Sequence, residues 1–246
     1  AQGNYEESLH LSQKDELGEL GKDLSFLATK LQEAKTAAQA EKAREKLFLS
    51  KIGHELRTPI TRLRSSLEAY QGGRMERLTE PEILEKLYKE VRSLERLVED
   101  LYLLAKLDTP GFTMEKEELV LQDVVEDVLH SLRKEEIAVE ITEEPILLQG
   151  DYDRLRQLIL NLLNNALEHG EGHVTLTLQA PLSLQITNAS SLSQEELVHL
   201  FTPFHHGEGS KGTGLGLTIA REIALAHGLQ LTLKQQDGVF RAELKS

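Results

Sequence analysis

The 246-residue sequence predicts a long α-helical hairpin, pairing with a second copy into a four-helix bundle, followed by an α/β sandwich domain. Three observations predict this. Two stretches repeat aliphatic residues at alternating steps of three and four, and a glycine-containing break separates them. After Thr109-Pro110-Gly111 the pattern changes to short alternating segments interspersed with helices.

In the first stretch, Leu17, Leu20, Leu24, Leu27 and Leu31 form an a/d seam, and Ala34, Ala37, Ala38, Ala40 and Ala43 carry helix propensity on toward Phe48. In the second, Leu84, Leu87, Val91, Leu94, Val98, Leu101 and Ala105 repeat the same spacing. Gln71-Gly72-Gly73-Arg74 is a turn signal, so the two helices read as an antiparallel hairpin. One hairpin has little core of its own, and two of them pair into a bundle. Beyond Gly111, strands are predicted around 137–148, 174–180, 182–188 and 229–244, and helices at 121–134, 151–169, 193–200 and 214–227. One sheet covered on one face by helices fits that order.

Composition narrows the function. The formal charge of −13 argues against a sequence-independent grip on nucleic acid, which needs a basic surface to displace counterions. Disulfides and thiolate metal sites are excluded because there is no cysteine. No run of 18 or more apolar residues appears, and the N-terminus carries no signal-peptide pattern.

Three constellations carry chemistry. Around His54-Glu55-Leu56-Arg57-Thr58-Pro59, helical spacing turns Ile52, Leu56 and Leu63 toward a bundle core and leaves His54, Thr58 and Thr61 outside. An imidazole is substantially neutral near pH 7 and can act as a nucleophile, with Glu55 holding one ring nitrogen as N–H. Thr58 lies one turn on and can position a water. On spacing alone, Thr58 and Pro59 also fit a helix N-cap and its first residue.

Second, Asn161 and Asn165 share a helix face. Uncharged oxygen ligands suit a Mg²⁺ ion already carried by phosphates. Asn164 reads as surface. Third, Gly212-Thr213-Gly214-Leu215-Gly216 precedes a helix, where bare backbone N–H groups and the helix dipole favour phosphate. It follows Leu200-Phe201-Thr202-Pro203-Phe204 and a polar Gly207-Glu208-Gly209-Ser210-Lys211.

In this order the three resemble the phospho-acceptor box, the N-box, and the F-box, lid and second glycine box of sensor histidine kinases. The resemblance covers residues 48–228. It implies ATP and Mg²⁺ as cofactors, with His54 phosphorylated, Glu55 assisting, and Thr58 in a phosphatase motif. Asn161 is the implied Mg²⁺ ligand. Asn165, Lys211, Gly212, Thr213, Gly214, Leu215 and Gly216 are the implied nucleotide contacts. A homodimer and the receiver domain of a response regulator are the implied partners. Gly3-Asn4-Tyr5 and Asp15-Glu16-Leu17-Gly18-Glu19-Leu20 resemble the end of a HAMP-type relay. That implies the cytoplasmic portion of an inner-membrane receptor, tied to the membrane only through a region N-terminal to this sequence. The expected division is 1–37 relay and signalling helix, 38–110 dimerisation and phospho-acceptor domain, and 111–246 ATP-binding domain.

The sequence departs from the family at its first glycine box. Thr187-Asn188-Ala189-Ser190-Ser191 stands where D-x-G-x-G is usual, so Asn188 takes the place of the adenine-reading Asp. An amide acceptor is weaker than a carboxylate. His169 and His206 stand where an aromatic residue and an Arg are usual. A phosphatase-dominant regulator, or a scaffold with a degenerate nucleotide site, is therefore the alternative reading.

Overall fold

The computed structural model describes residues 16–71, 79–107, 109, 111–132, 137–205 and 212–246. The start of the relay-like stretch, the glycines of the predicted hairpin turn, His206 and the 207–211 segment with Lys211 lie outside the described residues. The chain divides into two compact units, residues 1–55 and 56–246.

In the first unit the described residues are helical throughout, as the absence of Gly or Pro between Lys22 and Ile52 permits. They belong to α1 (Glu16–Gln71), whose remainder opens the second unit. Pro59 lies inside α1 and is buried, so the N-cap alternative at Thr58 does not hold. Proline has no N–H to give the Glu55 carbonyl, and the boundary between units falls directly after Glu55.

In the second unit α2 (Glu80–Leu107) carries the predicted seam, but two apolar faces result. Leu84, Val91 and Val98 of the seam are exposed, whereas Ile83, Leu97, Leu103 and Leu104 are buried. Part of the buried face packs on α6 (Gly216–Ala226).

The α/β domain contains β1 (Glu117–Val120), α3 (Leu121–Leu132), β2 (Ile137–Ile141), β3 (Leu147–Gly150), α4 (Tyr152–His169), β4 (Glu171–Gln179), β5 (Ser183–Ala189), α5 (Gln194–His199), α6, β6 (Gln230–Gln236) and β7 (Val239–Lys245). The predicted single sheet becomes two: a five-stranded sheet, β2-β4-β5-β7-β6, and an antiparallel pair, β1-β3. The expected strand at 137–148 breaks at Glu143-Glu144-Pro145, where proline cannot donate to a ladder, and β3 pairs with the unpredicted β1 instead. The expected strand at 229–244 folds back at Asp237-Gly238 into the β6–β7 hairpin.

Period-two burial makes the sheet's inner face. Leu184, Ile186 and Asn188 point inward from β5, and Val174, Leu176 and Leu178 from β4. Over them lie Leu155, Leu158, Ile159, Leu162 and Leu163 of α4, and Ile219, Ala220 and Ile223 of α6. Each fully buried Leu or Ile contributes about 1.5–3 kcal/mol relative to exposure, so this layer fixes where α4 and α6 lie.

A candidate nucleotide cleft

Helix α4 is set at its N-terminus by two hydrogen bonds. The Asp151 side chain accepts the Arg154 N–H at 3.1 Å, and the Asp151 N–H donates to His227 Nε2 at 3.0 Å. His227 Nδ1 donates to the Ile223 carbonyl at 2.7 Å, which fixes the neutral tautomer. Burial pushes its pKa below the ordinary histidine value, so the ring stays uncharged. The end of α6 is thereby locked to the start of α4.

Between α2, α4 and the glycine loop lies a cleft of about 680 Å³. Asn161 and Asn165 line it together with Gly212, Thr213, Gly214 and Gly216, so the second and third constellations converge. Asn161 Nδ2 donates to the Gly216 carbonyl at 3.2 Å. The amide nitrogen is thus engaged, and Oδ1 remains as an acceptor or ligand. Asn164 also lines the cleft and is half-buried, so its reading as plain surface is corrected. At steps of three and one, the three asparagines fall within an arc of about 100° of the helix surface, and the cleft takes all three.

The glycine loop is tied on both sides. The Phe204 N–H donates to the Gly214 carbonyl at 2.9 Å, and the Thr218 hydroxyl to the Phe201 carbonyl at 3.1 Å. Gly214 has φ 66°, a conformation that side chains resist. The Leu215 side chain is fully buried, so what Leu215 can offer a ligand is backbone. The Thr213 hydroxyl reaches across to Asp100 Oδ2 of α2 at 3.3 Å. Asp100 is 7% exposed, and burial pushes its carboxyl up to about 6 against the opposing pull of Thr213 and Arg96.

Asn188 is 4% exposed and does not line the cleft. Its Nδ2 donates to the Ala189 carbonyl at 3.0 Å, while Oδ1 is buried without a hydrogen-bond partner among the described residues. A side chain at Gly170 would press within 2.7 Å of Asn188 Nδ2, so glycine is required where α4 passes this strand. The neighbouring Ser190 and Ser191 do line the cleft.

His54 and Glu55 belong to the first unit, and Thr58 to the second; α1 carries all three. His54 and Thr58 are exposed and Glu55 is half-buried. What the sequence reading missed is the α2 wall of the cleft: Lys89, Arg92, Arg96 and Asp100. Their spacing, with Arg92, Arg96 and Asp100 four apart, is a legible polar stripe beside the aliphatic seam. Among the described residues no helix is long and apolar enough to cross a membrane.

Comparison with known proteins agrees with this geometry. Residues 44–110 match the His Kinase A (phospho-acceptor) domain, and residues 150–245 match the histidine kinase-, DNA gyrase B-, and HSP90-like ATPase family. The chain is 32% identical over 243 residues to the signal transduction histidine-protein kinase BaeS of Escherichia coli K12, covering 92% of this chain and 50% of that protein. It is 28% identical to the sensor histidine kinase YkoH of Bacillus subtilis 168, covering 94% and 52%. The chain thus spans about half the length of the curated relatives it matches. Among solved structures, the histidine kinase AdeS of Acinetobacter baumannii aligns with a TM-score of 0.66 at 25% identity, over 78% of this chain and 96% of that one. Two domain families in the expected order, the first holding the His54 constellation and the second the other two, place the chain in the sensor histidine kinases of two-component signalling.

Proposed function

We propose that the chain phosphorylates itself on His54 from Mg-ATP held in the cleft, and passes the phosphoryl group to an Asp of a response-regulator receiver domain. The observation that carries the reading is the Asn161–Gly216 bond. It joins the asparagine helix to the glycine loop and leaves the Asn161 oxygen for a metal. Asn161 and Asn165 would hold the Mg²⁺ and phosphates, with backbone N–H groups of Gly212–Gly216 beside them; Lys211, the further contact expected from sequence, lies outside the described residues. The unpartnered Asn188 Oδ1 is a buried acceptor of the kind an adenine amino group satisfies.

In the transfer, a bond forms between a His54 ring nitrogen and the γ-phosphorus as the bond to the β-bridging oxygen breaks, and ADP leaves. Glu55 holds the other ring nitrogen as N–H and stabilises the charge the ring acquires. Thr58 would serve the reverse traffic, orienting water for dephosphorylation of the regulator. The exposed Leu84, Val91 and Val98 of α2 support a homodimer, because a second copy would cover them. We divide these roles as expected from sequence: relay 1–37, phospho-acceptor 38–110 and ATP-binding 111–246.

Incubation of the whole chain with labelled Mg-ATP tests the reading. Acid-labile, base-stable label is expected on the wild type and absent from His54→Gln, which still binds nucleotide. Label persisting in His54→Gln overturns the assignment. A phosphatase-dominant regulator with weak ATP binding is the second reading, favoured by the absence of Asn188 from the cleft lining. It predicts little label on the wild type together with brisk loss of phosphate from the partner.

A further inference from the structure

The cleft is divided by charge. Among the described residues lining it, the Lys and Arg side chains are Lys89, Arg92 and Arg96, and all three belong to α2. The nucleotide-binding side supplies asparagines, serines and glycines, two histidines, and the carboxylates of Glu168 and Glu196. A nucleotide triphosphate brings several negative charges. Mg²⁺ offsets two of them, and uncharged amides and a helix dipole offset only a fraction more. The remaining charge has its counterpart across the cleft.

Position, exposure and chemistry fit Arg92 and Arg96 for that task. They lie four apart on α2, two turns and one turn before Asp100, whose bond to Thr213 fastens this face of α2 to the glycine loop. Neither forms an ion pair among the described residues, whereas Lys89 is engaged by Glu85 at 3.1 Å. Both are exposed, so their stems are not committed to packing. The guanidinium fork matches phosphate oxygens two at a time, which a lysine does not.

We propose that Arg92 and Arg96 of α2 hold the polyphosphate of a nucleotide bound in this cleft, so that α2 completes the site. The inference rests on the reading of the cleft as a nucleotide site and adds a residue pair from outside the ATP-binding domain. It has a reciprocal consequence. Whatever α2 gives to the binding of a triphosphate, the triphosphate gives to the docking of α2 on the glycine loop. Adenosine, with no phosphates, leaves that docking unchanged.

The test is calorimetric titration of the whole chain with adenosine, ADP and Mg-ATP. Four forms are compared: wild type, Arg92→Gln/Arg96→Gln, Arg92→Lys/Arg96→Lys, and Lys86→Gln/Lys106→Gln. The last makes the same charge change on α2 away from the cleft. The Gln pair is expected to weaken ATP by about tenfold, ADP by less, and adenosine by under twofold. The Lys pair restores part of the ATP affinity, and the control leaves it within about twofold. Equal losses for adenosine and ATP, unchanged ATP affinity in the Gln pair, or an equal loss in the control each overturn the proposal while leaving the cleft a nucleotide site. Failure of the wild type to bind any of the three ligands overturns the reading of the cleft, and the proposal with it. Should the Gln pair not fold, the Lys pair and the salt dependence of ATP binding decide. ATP affinity in the Lys pair equal to that of the wild type, or a wild-type affinity for ATP no more salt-sensitive than that for adenosine, refutes the proposal.

Discussion

Asp100→Asn isolates the contact between α2 and the glycine loop. Burial raises the Asp100 carboxyl from 3.8 to about 6, so ionising it in place is unfavourable. At about 1.4 kcal/mol per pH unit, the full cost is about 3 kcal/mol. The sign follows from linkage. A folded-state pKa above the unfolded value means the folded state holds the proton more tightly, so the contribution is complete below pH 3.8 and is lost as pH rises through 6. Between pH 5 and pH 8 the wild type forfeits about 1.4 kcal/mol of it. Asn keeps an oxygen for the Thr213 hydroxyl and cannot ionise. The variant's advantage in nucleotide-free unfolding should therefore grow by about 1.4 kcal/mol between pH 5 and pH 8, or about 3–5 °C in melting temperature for a unit of this size. Arg96 and Glu99, which act on Asp100 with opposite signs, are present in both proteins, and the titration of His227 is common to both and cancels. Thermal melts of both proteins at the two pH values measure the difference directly. An advantage that stays the same at both, or shrinks at pH 8, refutes the argument that buried charge is what α2 pays for at this contact.

Thr58→Ala should keep His54 labelling and lose dephosphorylation of the partner; a partner dephosphorylated at the wild-type rate would reduce Thr58 to a helix-surface residue. Asn161→Ala should depress labelling by about tenfold, because it removes both the proposed metal ligand and the bond to Gly216, while Asn164→Ala should cost less than about threefold. Labelling assays in which the two match would mean that the wrong face of α4 has been assigned to the metal. Asn188→Ala should weaken ATP several-fold, by about 1 kcal/mol, and GTP less, since guanine has an oxygen where adenine has the amino donor. Titration with both nucleotides checks it, and unaltered base preference places adenine recognition elsewhere. Asn188→Asp should destabilise the protein rather than tighten ATP, because one carboxylate oxygen would replace the nitrogen that now meets the Ala189 carbonyl at 3.0 Å.

The helices and most strands were legible because their burial is periodic. Leu155, Leu158, Ile159, Leu162 and Leu163 repeat as a helix must, and Leu184, Ile186 and Asn188 alternate as a half-buried strand must. The errors have local causes. β1 is four residues long and pairs only with β3, too short a segment for alternation to register. The merged strand at 137–148 looked continuous because its apolar residues straddle Pro145, and proline alone marked the break. Asn188 was expected as the last residue of a strand, free to meet a ligand. Its backbone still pairs with Phe240, so a polar residue sits at an inward position where the alternation predicts an apolar one.

The site was half legible for a different reason. Motifs are contiguous in sequence, so the asparagine helix and glycine loop announced themselves, and the fold then brought them together across one cleft. The α2 wall is not a motif. Arg92, Arg96 and Asp100 are charged residues at helical spacing next to an aliphatic seam, and on sequence such a stripe is the solvated face of a bundle helix. What distinguishes it is tertiary: Asp100 is buried with a hydroxyl from a residue 113 positions away. A buried carboxylate at a helix position that sequence assigns to solvent means that another surface covers that helix. Here the covering surface is the glycine loop itself. The packing that desolvates Asp100 also brings the two arginines to the edge of the cleft proposed to take a nucleotide, so the cost of the first and the proposed use of the second come from one contact.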